Sequence, residues 1–253
     1  MADMRPADGF DPPAPHLRTM AAELRDYVLS FYRVRQALGA LGLAMPIGLV
    51  IGTLVRGDPL PPSLSDFYYT PMRDIFVGIL VALGVFLITY RGHRDPHGPI
   101  SDRVVSQAAG LGAIGIALFP NDTLEPCAPK PIWDIDPIGM LHVASAGIFL
   151  TTTAIFCLFL FQRSSHLPPR PQKQRRNKIY ASCGWAIIAA LVLLGIYFLG
   201  LSNAQRCALV PYKPVLWLEV VTVLAFGLAW LVKGRGIKFL NDVRGTTLQV
   251  RSQ

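Results

Sequence analysis

The sequence predicts an all-α membrane protein, a bundle of six transmembrane helices with both the N and C termini in the cytoplasm. Three observations lead to this fold class. Of the 253 residues, 52% are hydrophobic and only 16% are charged, whereas soluble proteins carry roughly 25% charged residues. The charged residues are segregated between long apolar runs, as in multispanning membrane proteins. Lysine and arginine are also distributed unequally between alternate loops.

The elements follow in order from the N-terminus. Residues 1–16 are rich in proline and aspartate, which predicts a disordered tail. Residues 17–36 repeat apolar side chains at helical spacing with arginines between them, which predicts an amphipathic helix at the membrane interface. A membrane domain over 37–233 and a basic cytoplasmic tail over 234–253 complete the chain. Each predicted span is close to the ~20 residues that cross a bilayer, and the six spans are 37–55, 74–90, 104–119, 138–161, 179–200 and 215–232.

The basic residues predict the orientation of the spans. Nineteen of the 24 lysines and arginines lie in the N-terminal segment, the second and fourth loops and the C-terminal end, and five lie in the other loops. Cytoplasmic loops carry the excess of lysine and arginine. We therefore expect a multi-pass protein of the cell membrane whose partner is the lipid bilayer. The net charge of +8 reflects this bias and does not indicate a nucleic-acid partner.

Small residues recur every four positions in two of the spans. The third span has Ala109, Ala113 and Ala117, and the first has the row Ala40, Ala44, Gly48 and Gly52. Such rows let helix backbones approach closely in lipid. They predict packing faces on both helices.

The stretch Ser63–Asp74 gathers hydroxyls, two carboxylates, two tyrosines and an arginine in twelve residues, and it reads S-L-S-D-F-Y-Y-T-P-M-R-D. By helix rise, His142 and Glu219 lie less than ~10 Å below the extracytoplasmic interface, at a depth similar to Asp74. An ionised side chain that faces lipid alone is costly, so the three should converge in one polar pocket. The predicted ligand-binding residues are Ser63, Ser65, Asp66, Tyr68, Tyr69, Thr70, Arg73, Asp74, His142 and Glu219.

Two functions fit this polar layer. The first is binding of a lipid or small ligand in a pocket open to the extracytoplasmic side, with Arg73 placed to meet a phosphate. The alternative is an intramembrane lipid hydrolase or transferase, in which His142 with Asp74 or Glu219 activates a hydroxyl such as that of Ser65, with or without a metal ion. The chain lacks H-E-x-x-H and G-x-S-x-G motifs, and it identifies no cofactor. Helix capping and hydrogen-bonded structural roles would explain the same residues individually.

The four cysteines fall into two classes. Cys157 and Cys183 lie within spans, where cysteine behaves as a small buried hydrophobic residue. Cys127 and Cys207 lie in the extracytoplasmic loops 120–137 and 201–214. An oxidising compartment favours a disulfide between them, and two free thiols are the alternative.

The run from Ser63 to Gly78 resembles an S-x-S-x-Y-Y-x-T-x-x-R-D-x-F-V-G signature of uncharacterised bacterial multispanning membrane proteins. Its S-x-S-D element is also distantly similar to that of Frag/DRAM/Sfk-like membrane proteins. The resemblance implies a six-span bundle, the bacterial inner membrane and a link to lipid metabolism or membrane stress. It implies no catalytic residues.

Overall fold

The fold is seen in a computed structural model that describes residues 15–90, 92, 101–122, 136–163 and 171–237. These residues form α-helices and short 3-10 and π-helical segments, with no β-strand among them. The α-helices within the described ranges are α1 (Pro15–Arg56), α2 (Arg73–Thr89), α3 (Asp102–Leu118), α4 (Pro137–Ile155), α5 (Pro171–Gly195), α6 (Asn203–Leu209) and α7 (Pro214–Lys233). The prediction of an all-α fold is confirmed for this part of the chain.

Several helices are extended or joined by shorter turns. A π-helical turn continues α4 over Phe156–Leu160, and another continues α5 over Ile196–Gly200. Between α1 and α2 the chain forms a 3-10 helix at Ser65–Tyr69. The short helix α6 begins with a capping box in which Ser202 and Gln205 satisfy each other's backbone N–H groups. The sequence did not predict α6.

The six long helices close into a ring. Each packs against the next along the chain, α5 packs against α7, and α7 returns to pack against α1. Neighbours run antiparallel: the Gln36 side chain near the start of the α1 span donates to the Gly234 carbonyl beyond the end of α7, 2.8 Å away. The ring therefore has two ends. We call the end containing the 57–72 connection the Ser63 end, and the end where α7 terminates the basic end.

The contact between α1 and α7 depends on glycine. A Cβ on Gly227 would lie 2.7 Å from the Leu43 nitrogen and 2.9 Å from the Gly39 carbonyl oxygen, closer than side chains tolerate. Small residues permit this approach in lipid. The small-residue face predicted for α3 is confirmed, because all three alanines are buried. The face predicted for α1 is wrong, since Ala40 and Ala44 are exposed and α1 packs through a different stripe.

Four helical segments of the described chain are long and apolar enough to cross a membrane: Asp26–Arg56, Pro137–Leu160, Pro171–Gly200 and Pro214–Lys233. The chain is therefore a multi-pass membrane protein. Helices α2 and α3 have 17 residues each, at the short end of the range for a span. The six-span count and the cytoplasmic termini stay predictions.

Two predicted boundaries differ from the structure. Helix α1 runs unbroken from Pro15 to Arg56, so the segment predicted as an interfacial helix is the first part of the same helix as the first span. Helix α5 begins at Pro171 rather than at residue 179. Residues 1–14 and 238–253 lie outside the described residues, so the two predicted tails stay predictions.

Candidate functional site

The start of the polar segment is fastened to the first turns of α7. The Lys213 ammonium group donates a hydrogen bond to the Leu60 carbonyl. The Leu216 backbone N–H donates a hydrogen bond to the Pro62 carbonyl at 3.1 Å. The N–H groups of a first helical turn have no partner inside the helix, so the Pro62 carbonyl satisfies one of them. These contacts bring the chain before Ser63 against the helix that carries Glu219.

Glu219 binds the polar segment directly. One carboxylate oxygen accepts from the Ser63 hydroxyl at 2.9 Å and from the Leu64 backbone N–H at 2.6 Å. The Ser63 oxygen also accepts from the Ser65 N–H at 2.9 Å. A carboxylate that receives two donors is well suited to a partly buried position. Glu219 thus anchors the segment just before its 3-10 helix begins.

His142 reaches the same segment from α4. Its Nδ1 lies 2.7 Å from the Phe119 carbonyl oxygen, and its Nε2 lies 3.0 Å from the Ser65 Oγ. A carbonyl only accepts, so Nδ1 carries the proton and Nε2 accepts from the Ser65 hydroxyl. His142 is 4% exposed and Ser65 is 9% exposed. The arrangement is a serine–histidine pair whose ring is oriented by a third group.

Asp66 joins the segment to the chain that follows α3. The Asn121 side-chain amide donates to an Asp66 carboxylate oxygen at 2.5 Å, and the Tyr69 hydroxyl donates to the Asn121 carbonyl at 2.6 Å. Burial raises the pKa of Asp66 above its usual value, and hydrogen bonds from Asn121 and from the Ser63 backbone oppose that rise. Thr70 donates to the Phe67 carbonyl at 2.8 Å and shapes the turn locally.

The exposed Arg73 pairs with the half-buried Tyr68. The Arg73 guanidinium carbon lies 4.3 Å from the centroid of the Tyr68 ring. One Arg73 nitrogen donates to the Tyr68 hydroxyl at 2.8 Å. The stacked pair holds a planar cation at the surface of the Ser63 end.

The prediction of one shared pocket is wrong for Asp74. Asp74 is exposed in the first turn of α2, whereas Glu219 and His142 lie against the buried side of the segment. The expected pairing of His142 with Asp74 or Glu219 is also wrong. Both ring nitrogens bind other groups, and Glu219 binds Ser63 and Leu64 instead.

Some contacts could not be read from the sequence. The Phe119 carbonyl that orients His142 is a backbone group, and every residue has one. Asn121 follows α3 in the sequence F-P-N-D, which predicts a turn but no contact with Asp66 or Tyr69. Within the described residues, no three His, Cys, Asp or Glu side chains are grouped so that they could hold a metal ion.

The predicted disulfide involves a position that the structure does not describe. Cys207 lies in α6 at the Ser63 end, and Cys127 lies outside the described residues. The Cys127–Cys207 bridge therefore stays a prediction. Cys157 and Cys183 are free and buried, as the sequence predicts.

Comparison with known proteins finds one family. A family model described as "Protein of unknown function (DUF998)" matches residues 37–233, the range predicted for the membrane domain. No curated protein and no solved structure matches the chain. The resemblances to the S-x-S-x-Y-Y signature and to Frag/DRAM/Sfk-like proteins stay predictions.

Proposed function

The chain belongs to the DUF998 family, and we propose that it binds a lipid headgroup or another small polar ligand at the Ser63 end of its helical bundle. The observation that carries the proposal is the Arg73 guanidinium, exposed and stacked on Tyr68. The ligand is a phosphate-bearing headgroup or a small anion of the same chemistry.

Arg73 is oriented before any ligand arrives. Its contacts with Tyr68 use one face of the guanidinium and one of its nitrogens. The guanidinium group has five N–H donors in a planar fork that suits phosphate oxygens. Within the described residues no carboxylate forms an ion pair with Arg73. Donors therefore remain for an anion.

The segment beneath Arg73 is held from two sides. Glu219 on α7 and His142 on α4 both hydrogen-bond its buried residues. A site whose supporting residues are fixed loses less conformational entropy on binding. We infer that the buried polar residues support a binding surface formed by Arg73, Tyr68 and the exposed Tyr69.

The proposal places this surface at the extracytoplasmic membrane interface, with six spans and cytoplasmic termini. The antiparallel ring and the concentration of basic side chains at the opposite end support that orientation. The 17 residues of α2 correspond to about 25 Å of helix, close to the hydrocarbon thickness. Tyrosine and arginine are frequent at this depth, where phosphate groups lie.

Binding of a fluorescent short-chain phosphatidylglycerol to the detergent-purified protein tests the proposal. Arg73→Gln should raise the Kd about tenfold, because a charge-assisted hydrogen bond contributes about 1.5 kcal/mol or more. Arg56→Gln is the matched control. Arg56 is exposed at the same end but is already paired with Asp58 at 2.9 Å, so its substitution should leave the Kd unchanged. Equal Kd values for wild type and Arg73→Gln would contradict the proposal.

A second function is favoured by the 3.0 Å contact between Ser65 and His142. In a lipid acyl hydrolase or transferase, the Ser65 oxygen would attack an ester carbonyl while Nε2 accepts its proton. His142 would then protonate the departing alcohol, and water or another alcohol would release the acyl group. Binding ranks first because both members of the pair are buried, whereas the Arg73 surface is exposed.

A fluorophosphonate probe tests the second function, because it modifies activated serines covalently. If the pair is catalytic, peptide mass spectrometry should find the adduct on Ser65, and His142→Gln should abolish it in protein that still unfolds cooperatively. Ser202, an exposed helix cap at the same end, should remain unmodified. A folded wild-type protein without an adduct on Ser65 rules out serine chemistry at this site.

A further inference from the structure

The basic end collects cationic side chains from several helices. Arg35 comes from α1, Lys173 and Arg176 from α5, and Lys233 from the last turn of α7. We call these four residues the basic cluster. The charges of Arg35, Lys173 and Arg176 all repel the Lys233 ammonium, and the Asp102 carboxylate attracts it.

Arg35 is buried with part of its hydrogen-bonding capacity unused. It is 8% exposed, and its guanidinium carbon lies 4.0 Å above the Phe31 ring. One terminal nitrogen donates to the Tyr90 hydroxyl at 2.8 Å. Its Nε is buried and has no hydrogen-bond partner within the described ranges. Arg35 is therefore a buried cation with an unpaired donor.

A second unpaired donor lies beside the first. Trp230 is completely buried, and in the part of the chain that the structure describes its Nε1 has no hydrogen-bond partner. The Trp230 ring centroid lies 5.1 Å from that of Tyr90, and the Arg35 guanidinium lies 5.5 Å from the same ring. Buried donors in native proteins are nearly always paired. Two donors close to Tyr90 without a partner among the described residues indicate a missing acceptor.

The two lysines share one neutral acceptor. The Lys173 ammonium donates to the Phe161 carbonyl at 2.7 Å, and the Lys233 ammonium reaches the same oxygen at 3.5 Å. The nearby Asp102 carboxylate is engaged with Arg163 at 3.2 Å. The Arg35 guanidinium and the Lys233 ammonium, in surroundings of low dielectric, would be stabilised by an anion close by.

We propose that the basic end binds a phosphate-bearing anion, with Arg35, Trp230 and Lys233 as its principal donors. Phosphate offers several acceptor oxygens and a charge that offsets that of the cluster. In the orientation with most basic residues inside, the cluster lies at the level of anionic headgroups of the cytoplasmic leaflet. An anionic phospholipid is therefore the expected source, and free phosphate has the same binding chemistry.

Thermal unfolding in a neutral detergent tests this site with three probes, in protein that carries Arg73→Gln to weaken the lipid site proposed at the Ser63 end. Dioctanoyl phosphatidylglycerol should raise the Tm by about 3 °C for each tenfold increase above its Kd. Dioctanoyl phosphatidylcholine should produce no such rise, and inorganic phosphate at the same concentration should produce a smaller one. Arg35→Gln should abolish the phosphatidylglycerol effect.

Arg33→Gln is the matched control. Arg33 is exposed two residues away on the same helix, so the variant loses the same charge without touching the cluster and should respond like the wild type. If Arg35→Gln does not fold, Trp230→Phe keeps an aromatic ring, removes Nε1 and should weaken the response several-fold.

Three results would overturn the assignment. The first is a phosphatidylglycerol response that Arg35→Gln, or Trp230→Phe in its place, leaves unchanged. The second is an equal response to phosphatidylcholine. In the third, inorganic phosphate reproduces the full rise at the same concentration, which would transfer the site from a lipid to a soluble phosphate.

Discussion

The two ends of the helical ring differ in how the hydrogen-bonding groups of their buried ionisable side chains are paired. At the Ser63 end, Glu219 receives two hydrogen bonds and His142 uses both ring nitrogens. At the basic end, Arg35 Nε and Trp230 Nε1 have no hydrogen-bond partner among the described residues. The first end supplies the partners of its own buried charges. At the second end, the proposed phosphate-bearing anion supplies the counterpart of Arg35 and Lys233.

This difference predicts that the buried polar groups at the Ser63 end stabilise the fold, whereas the donors at the basic end bind a ligand. Removing a partner at the Ser63 end should cost stability whether or not a ligand is present. Removing the Trp230 Nε1 donor at the basic end should matter mainly when the anion is present, because this donor has no acceptor to lose among the described residues.

The largest effect is expected for Glu219→Leu. This change leaves the Leu64 N–H and the Ser63 hydroxyl without their acceptor, which should lower the free energy of unfolding by about 2–3 kcal/mol. Glu219→Gln keeps a carbonyl acceptor and should cost less. Chemical or thermal unfolding in detergent measures both.

Asp74→Ala is the control for that comparison. Asp74 is exposed in the first turn of α2, so only its favourable interaction with the helix dipole is lost, about 1 kcal/mol or less. A Glu219→Leu protein no less stable than Asp74→Ala would show that the Ser63 end does not depend on this carboxylate.

Glu219, His142 and Asp74 also show what depth along a helix can predict. The rise per residue predicts a similar depth for His142 and Glu219, and the two side chains contact Ser65 and Ser63 respectively. It could not predict which way a side chain faces, because that depends on how the helices rotate against one another. The predicted convergence of Asp74 with His142 and Glu219 fails for this reason.

The basic end was missed for a related reason. In the sequence, its lysines and arginines indicate only the orientation of the spans, because an excess of basic residues in loops usually marks the cytoplasmic side. Phe31 and Arg35 are four residues apart on α1, a spacing that places them on one face. The Tyr90 and Trp230 partners come from other helices, so only the packed ring reveals that Arg35 is buried.

A smaller effect concerns the independence of the two ends. They are separated by about 25 Å along α2, and the proposed ligands contact different residues. Arg35→Gln should therefore leave lipid binding at Arg73 unchanged, and Arg73→Gln should leave the Tm response at the basic end unchanged. Effects in the double variant should add to within about 0.5 kcal/mol. A larger coupling would mean that one site spans both ends.

The smallest effect is the pH dependence contributed by Asp66. Because burial raises its pKa in the folded protein, the folded state binds this proton more tightly than the unfolded state does. Stability from this group is greatest below its unfolded pKa of about 3.9 and is lost as the pH rises through the higher folded pKa. Asp66→Asn should remove this component from a plot of Tm against pH. Parallel curves for wild type and variant would contradict the assignment.

Sidedness tests the central claim most directly, because both proposals require the two ends to lie on opposite membrane faces. Tyr69 is 51% exposed at the Ser63 end, and Arg235 is exposed at the basic end. Cysteines at these positions would be treated in intact cells with a membrane-impermeant maleimide, with the unsubstituted chain as background. Tyr69→Cys should be labelled at once, and Arg235→Cys only after the membrane is permeabilised. Equal labelling of both in intact cells, or the reverse order, would contradict the account.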